Sequence, residues 1–134
     1  MASGTIKAVA SKADIDALNG NLANAQTAYS VTPTAATNVT IDTNATVKIG
    51  NIAFIAVKGH VSASISNGTL FSVNFGKQIA ESGATFPIGI GSGAWDLDSV
   101  SYGYLRWLAN GCEVVGTVAN GKYFHVYVPV ALVG

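Results

Sequence analysis

The chain has 134 residues, 7 Lys+Arg against 7 Asp+Glu, 10% charged and 49% hydrophobic residues, and a mean hydropathy of +0.39. That length suits one domain; disorder, which needs low hydrophobicity and high net charge, is excluded, as is phosphate-backbone recognition of nucleic acid, which needs a basic excess. Soluble proteins usually carry about 25% charged residues, so the shortage of charge points to a second buried surface, in an oligomer or a larger assembly.

From Ala8 to Tyr29, the residues Ala8, Ser11, Ile15, Leu18, Leu22, Ala25 and Tyr29 recur at alternating steps of three and four. This a/d seam predicts a helix that packs on other helices, with Ser11 and Asp14 as its N-cap pair. Gly20 falls outside the seam, where it costs about 1 kcal/mol of helix propensity. A helix of about three heptads is marginal alone in water, so it needs partner helices or a surface of its own domain to dock on. The expected seam residues are Ile15, Leu18, Leu22 and Ala25.

After Pro33 the period changes from helix to strand. Val39 and Ile41 alternate with polar residues, and Asn51 to Ile65 reads as one long strand with Val57, Gly59, Val61, Ala63 and Ile65 on one face. Asn67-Gly68 reads as a tight hairpin turn. A Gly-, Ser- and Ala-rich loop over 76–93 surrounds Phe86-Pro87, and strands resume over 98–108, 113–118 and 123–133 with turns at Asn110-Gly111 and Asn120-Gly121. Pro129 suggests an edge or a bulge in the last strand. The expected fold is therefore mainly β: an antiparallel β-sandwich or jelly-roll-like head over residues 31–134, behind a coiled-coil stalk over residues 1–30.

Cys112 is the only cysteine. This leaves no intrachain disulfide framework or CxxC metal set, and among apolar neighbours it reads as a small buried filler. Residues 1–10 lack the apolar run of about 7–15 residues that marks a secretory signal. The most apolar stretch, Val126 to Val133, is far short of the roughly 20 residues of a spanning helix. The expectation is a protein made in the cytosol, with no membrane insertion. Asn-x-Ser/Thr sequons at Asn38, Asn44 and Asn67 read as part of an Asn- and Thr-rich β sequence.

The segment Ala13-Asp14-Ile15-Asp16-Ala17-Leu18-Asn19-Gly20-Asn21-Leu22 resembles the short coiled coils of phage tail-fibre and baseplate proteins. The C-terminal part is similar to their β-rich tip domains: a long strand from Ala53 to Ile65, a Gly68-Thr69-Leu70 turn, a Phe86-Pro87 loop, Gly103-Tyr104-Leu105-Arg106-Trp107 before Asn110-Gly111, and a closing Tyr123-Phe124-His125-Val126-Tyr127 strand. The resemblance implies a homotrimeric virion protein, assembled in the host cytoplasm with other tail or baseplate proteins. It also implies a head that attaches to a host surface glycan or protein, without enzymatic activity or a cofactor.

Candidate ligand residues come from aromatic and acidic clustering in the second half. Trp95, Asp96 and Asp98 lie in a Gly-flanked loop, where binding residues usually sit. Alternation from Ser101 to Trp107 puts Tyr102, Tyr104 and Arg106 on an outward face and Gly103, Leu105 and Trp107 on a core face. Aromatic rings can take sugar faces while carboxylates and amides take hydroxyls. Asp96 and Asp98, on one face if the segment is extended, also meet the spacing of a glycosidase pair and define a rival reading, a small carbohydrate-active enzyme. A second rival is a collar, decoration or adaptor protein with no receptor of its own, and a third is a cellular adhesin or TNF-like trimeric head. His60 and His125 form no metal-ligand set within one chain, although in a trimer one His from each copy could meet on the axis. Gly89-Ile90-Gly91-Ser92-Gly93 lacks the spacing, Lys and following helix of a phosphate-binding loop and reads as a mobile loop.

Overall fold

The computed structural model describes residues 11–134, apart from the side chains of residues 23–26. Helix α1 (Lys12–Gln26) is followed by β1 (Ala28–Ser30), β2 (Thr34–Ala35), β3 (Val39–Asn44), β4 (Val47–Ile49), β5 (Ile52–Val61), β6 (Ile65–Asn74), β7 (Gln78–Ile79), β8 (Thr85–Gly91), β9 (Leu97–Leu108), β10 (Gly111–Val118) and β11 (Tyr123–Val133). Ser11 caps the helix as its sequence predicts: the Asp14 N–H donates to Ser11 Oγ at 3.1 Å, and the Ser11 N–H donates to Asp14 Oδ2 at 3.3 Å. Ile15, Leu18 and Leu22 remain exposed on it. Ala8 and the side chain of Ala25, both assigned to the seam, fall outside the described residues. The helix stops short of Tyr29, which lies in β1 opposite Lys48 of β4.

The strands form one antiparallel sheet in the order β1-β4-β5-β11-β8-β9-β10-β6-β2, with β3 on the outer edge of β5 beside β4 and β7 on β11. That sheet curls on itself. Phe71 of β6 and Phe124 of β11 stack with ring centroids 6.4 Å apart, although three strands separate them along the sheet. Laid flat at about 4.8 Å per strand, they would stand about 19 Å apart. The short link over residues 36–38 joins β2, at one end of the sheet, to β3 near the other, which requires the two ends to approach. The mainly β, antiparallel architecture is as expected, and it is built as one curled sheet.

Alternate residues of each long strand fill the interior. In β5 they are Ala53, Ile55, Val57 and Val61; in β11, Phe124, Val126, Val128, Val130 and Leu132. Each large apolar side chain so buried contributes about 1.5–3 kcal/mol. Gly59 faces Phe124 across the β5–β11 pair, and a Cβ there would lie 2.7 Å from the Phe124 ring and 2.4 Å from the Thr40 carbonyl oxygen. The missing side chain thus lets the ring close over the strand.

Several segments differ from their sequence reading. The run over 51–65 is two strands with a turn over 62–64, so Ala63 and Ile65 leave the face shared by Val57, Gly59 and Val61. Asn67-Gly68 lies inside β6, where Asn67 has φ 50° and its N–H donates to Thr117 Oγ1 at 2.9 Å. The pairing with β10 shifts there, so the left-handed residue makes a bulge in place of a hairpin turn. The segment over 76–93, expected as a loop, contains β7 and β8. Phe86, Ile88 and Ile90 point inward from β8, and its glycines accommodate neighbouring chain. Pro129 sits inside β11, paired with Phe54 on one side; on the other side β11 pairs β8 only through His125 and β7 only from Leu132. The proline occupies the gap between those two partners. Trp107, assigned to the core face with Gly103 and Leu105, is 54% exposed.

Candidate ligand-binding face

The outward residues of β5 and β11 form the floor of a concave face. Register brings His60 opposite Tyr123, Lys58 opposite His125 and Ala56 opposite Tyr127. On the far side of β5, β3 brings Thr43 opposite Lys58, and Asp42 is the extra residue of a bulge between Ile41 and Thr43. Its carboxylate meets His60 Nδ1 at 2.8 Å, and the His60 ring lies 5.0 Å from that of Tyr123. Ala45 and Ala56 are small and held side by side by the Ala45 N–H, which donates to the Ala56 carbonyl at 2.8 Å. Large outward side chains on either side of two alanines leave a cleft of about 360 Å³, lined by Thr43, Ala45, Ala56, Lys58, His125 and Tyr127.

The segment between β8 and β9 reaches onto this face. Gly91 makes that possible, because a Cβ there would fall 2.0 Å from the Asp96 carbonyl oxygen. The chain can therefore double back tightly and present Trp95. Lys58 Nζ lies 3.7 Å from the Trp95 ring centroid, and the His125 ring stands edge-on to it at 6.5 Å. His125 Nε2 lies 2.5 Å from the Ala94 carbonyl oxygen. A carbonyl only accepts, so Nε2 carries the proton and the imidazole tethers the loop. Trp95 is nonetheless 80% exposed. A large aromatic held in place yet left in water is the most unusual feature of the face, since such rings are normally used for packing.

The other sequence-predicted candidates disperse. Asp96 is a turn residue whose N–H donates to the Gly93 carbonyl at 3.3 Å. Asp98 is the extra residue of a bulge, because Ile90 pairs Ser99 while Gly91 pairs Leu97. The regular alternation that would set Asp96 and Asp98 on one face is broken between them. Tyr102 is exposed opposite Pro87, and Tyr104 is half-buried opposite Thr85 and Val115. Arg106 is bound to Glu113 through Nε at 2.6 Å and through its second nitrogen, and it donates to Thr69 Oγ1 at 3.1 Å. The Glu113 carboxylate also holds the guanidinium pKa above its ordinary value. Eight residues of strand separate Asp98 from Arg106, about 26 Å, so Arg106 braces β9 against β10 and β6 away from the Trp95 loop.

Lys58, Thr43 and Tyr127 were not among the sequence candidates. The available signal was the outward alternation of Lys58 with His60 and of Tyr123, His125 and Tyr127, but nothing local shows that these two strands pair. Among the described residues no group of three or more His, Cys, Asp and Glu side chains has the geometry of a metal site. No helix among them is long and apolar enough to cross a membrane. Comparison of the chain with protein-family models, with curated protein sequences and with solved structures returned no match.

Proposed function

We propose that this chain is the tip domain of a phage tail: a homotrimer with a coiled-coil stalk and a sandwich-like head that attaches the virion to a saccharide on the host surface. It is a structural and adhesive protein, built into the tail in the host cytoplasm beside other tail or baseplate proteins, and it catalyses no reaction. The observation that carries the binding role is the Trp95 ring, exposed yet held against His125 and Lys58, two residues of the cleft lining. A rigid aromatic of this kind can take the apolar face of a sugar with little loss of conformational entropy on binding. Tyr127 supplies a second exposed ring beside the same cleft. The assembly reading draws support from Ile15, Leu18 and Leu22, exposed at 48%, 68% and 55% with heptad spacing, and from the low charge of the chain.

An array of bacterial surface polysaccharides tests the binding role. The protein is expected to be retained on at least one glycan, and Trp95→Ala to weaken retention by about tenfold, on the order of 1.4 kcal/mol, without lowering Tm. A folded protein retained on none of them would replace the receptor role with that of an adaptor or decoration protein.

A further inference from the structure

From the charge of the cleft, and resting on the saccharide-binding reading above, we infer that its ligand is an acidic saccharide, a sugar bearing a carboxylate or phosphate group held by Lys58. Among the described cations Lys12 pairs with Asp16 and Arg106 with Glu113, while Lys48, Lys58, Lys77 and Lys122 have no carboxylate partner, and of these four Lys58 lines the cleft. It carries its ammonium 3.7 Å from the Trp95 ring centroid, so a cation without a carboxylate partner links the cleft lining to an exposed aromatic.

No carboxylate competes for that position from the lining. Asp42, next to Thr43, is taken by His60 Nδ1 at 2.8 Å. The Asp96 carboxylate, next to Trp95, folds back on Gly93, with Oδ2 3.0 Å from where a Cβ of that residue would stand. The remaining polar groups suit hydroxyls. Thr43 offers a donor and acceptor, and His125, with Nε2 committed to the Ala94 carbonyl, offers Nδ1 as an acceptor. The cleft's volume of about 360 Å³ is near the lower limit of small-ligand sites, roughly 300 Å³, which fits a short saccharide end or branch. The sugar would pack on Tyr127 with its anion against Lys58, and Trp95, in contact with Lys58, would take a neighbouring apolar face.

The test uses the full chain and matched probes: polygalacturonate and sialyllactose, their carboxyl-reduced forms, a glycerol-phosphate-substituted glycan and its dephosphorylated form. At least one anionic probe should bind, with affinity falling about tenfold when its charge is removed, about tenfold in Lys58→Gln, and further with added salt. Lys58→Arg should restore much of the loss, and unchanged Tm in both variants shows that the fold is intact. The carboxylate and phosphate arms identify which anion is bound. Equal binding of charged and neutral probes, or full affinity in Lys58→Gln, overturns the acidic-ligand assignment while saccharide binding stands. Failure to bind any probe, together with an empty polysaccharide array, overturns both.

Discussion

The three sequon asparagines each do backbone work. Asn38 and Asn67 adopt φ of 65° and 50°, the left-handed region that asparagine tolerates better than most residues. Asn44 donates through Nδ2 to the Val31 carbonyl at 2.7 Å and accepts from the Thr46 N–H at 3.0 Å, joining the segment before β2 to the β3–β4 turn. Thr46 is itself buried, with Oγ1 accepting from the Ala56 N–H at 3.1 Å. Cys112 is fully buried, as its apolar neighbours predict, and burial pushes its thiol pKa up to about 12. At pH 8 only about one thiol in ten thousand is then ionised, so iodoacetamide should leave the native protein unlabelled and modify it quantitatively in urea. The linkage has a definite sign. The folded pKa lies above the ordinary 9.0, so the thiol's contribution is fully present below pH 9 and is lost as pH rises towards 12. Cys112→Val should flatten that alkaline loss in urea titrations across this range.

At the scale of elements, two irregularities steer the strands. The bulge at Asn67 needs a left-handed residue, so Asn67→Ala should cost about 1–2 kcal/mol in urea unfolding, while Asn67→Gly should be nearly neutral. A loss equal in both variants would trace the effect to the side chain and count against a backbone role. The bulge at Asp42 turns an otherwise regular strand residue into the carboxylate that holds His60. Both bulges escaped the sequence reading for the same reason. Asn67-Gly68 has the composition of a hairpin turn, and only its partner Thr117, fifty residues away, shows that the chain continues as a strand. The glycines of β8 misled in the same way, reading as a mobile loop because local composition does not reveal the neighbouring chain that requires them. By contrast, the turn at Asn120-Gly121 formed where its composition put it, with Gly121 at φ 76°, and the one expected at Asn110-Gly111 formed one residue earlier, at Ala109-Asn110, with Gly111 opening β10.

At the scale of the whole molecule, the helix and the curled sheet set different demands. The core of the head is continuous and its large residues fully buried, whereas α1 exposes the apolar stripe of Ile15, Leu18 and Leu22. At 15 residues it is near the length at which an isolated helix is marginal in water. If three copies join along that stripe, light scattering should return three times 13.7 kDa, and Tm should rise with protein concentration. The pair Leu18→Glu and Leu22→Glu should lower the mass to that of one chain while the near-ultraviolet signal of the head persists. A wild-type protein that scatters as one chain would end the trimer proposal.

The β character, most strand positions, the helix cap and the filler role of Cys112 were determined by the sequence itself, because alternation, capping and hydrophobicity act over a few residues. Only the tertiary structure decided which strands became neighbours. Pairing β5 with β11 brought Lys58, His125 and Tyr127 together across some seventy residues of chain, and the close approach at Gly91 carried Trp95 against Lys58 and His125. The length of β9 separated Trp95 from Arg106, which composition had grouped together. The low charge belongs to the composition, but the position of Lys58 in the cleft depends on strand register, which spans the whole chain.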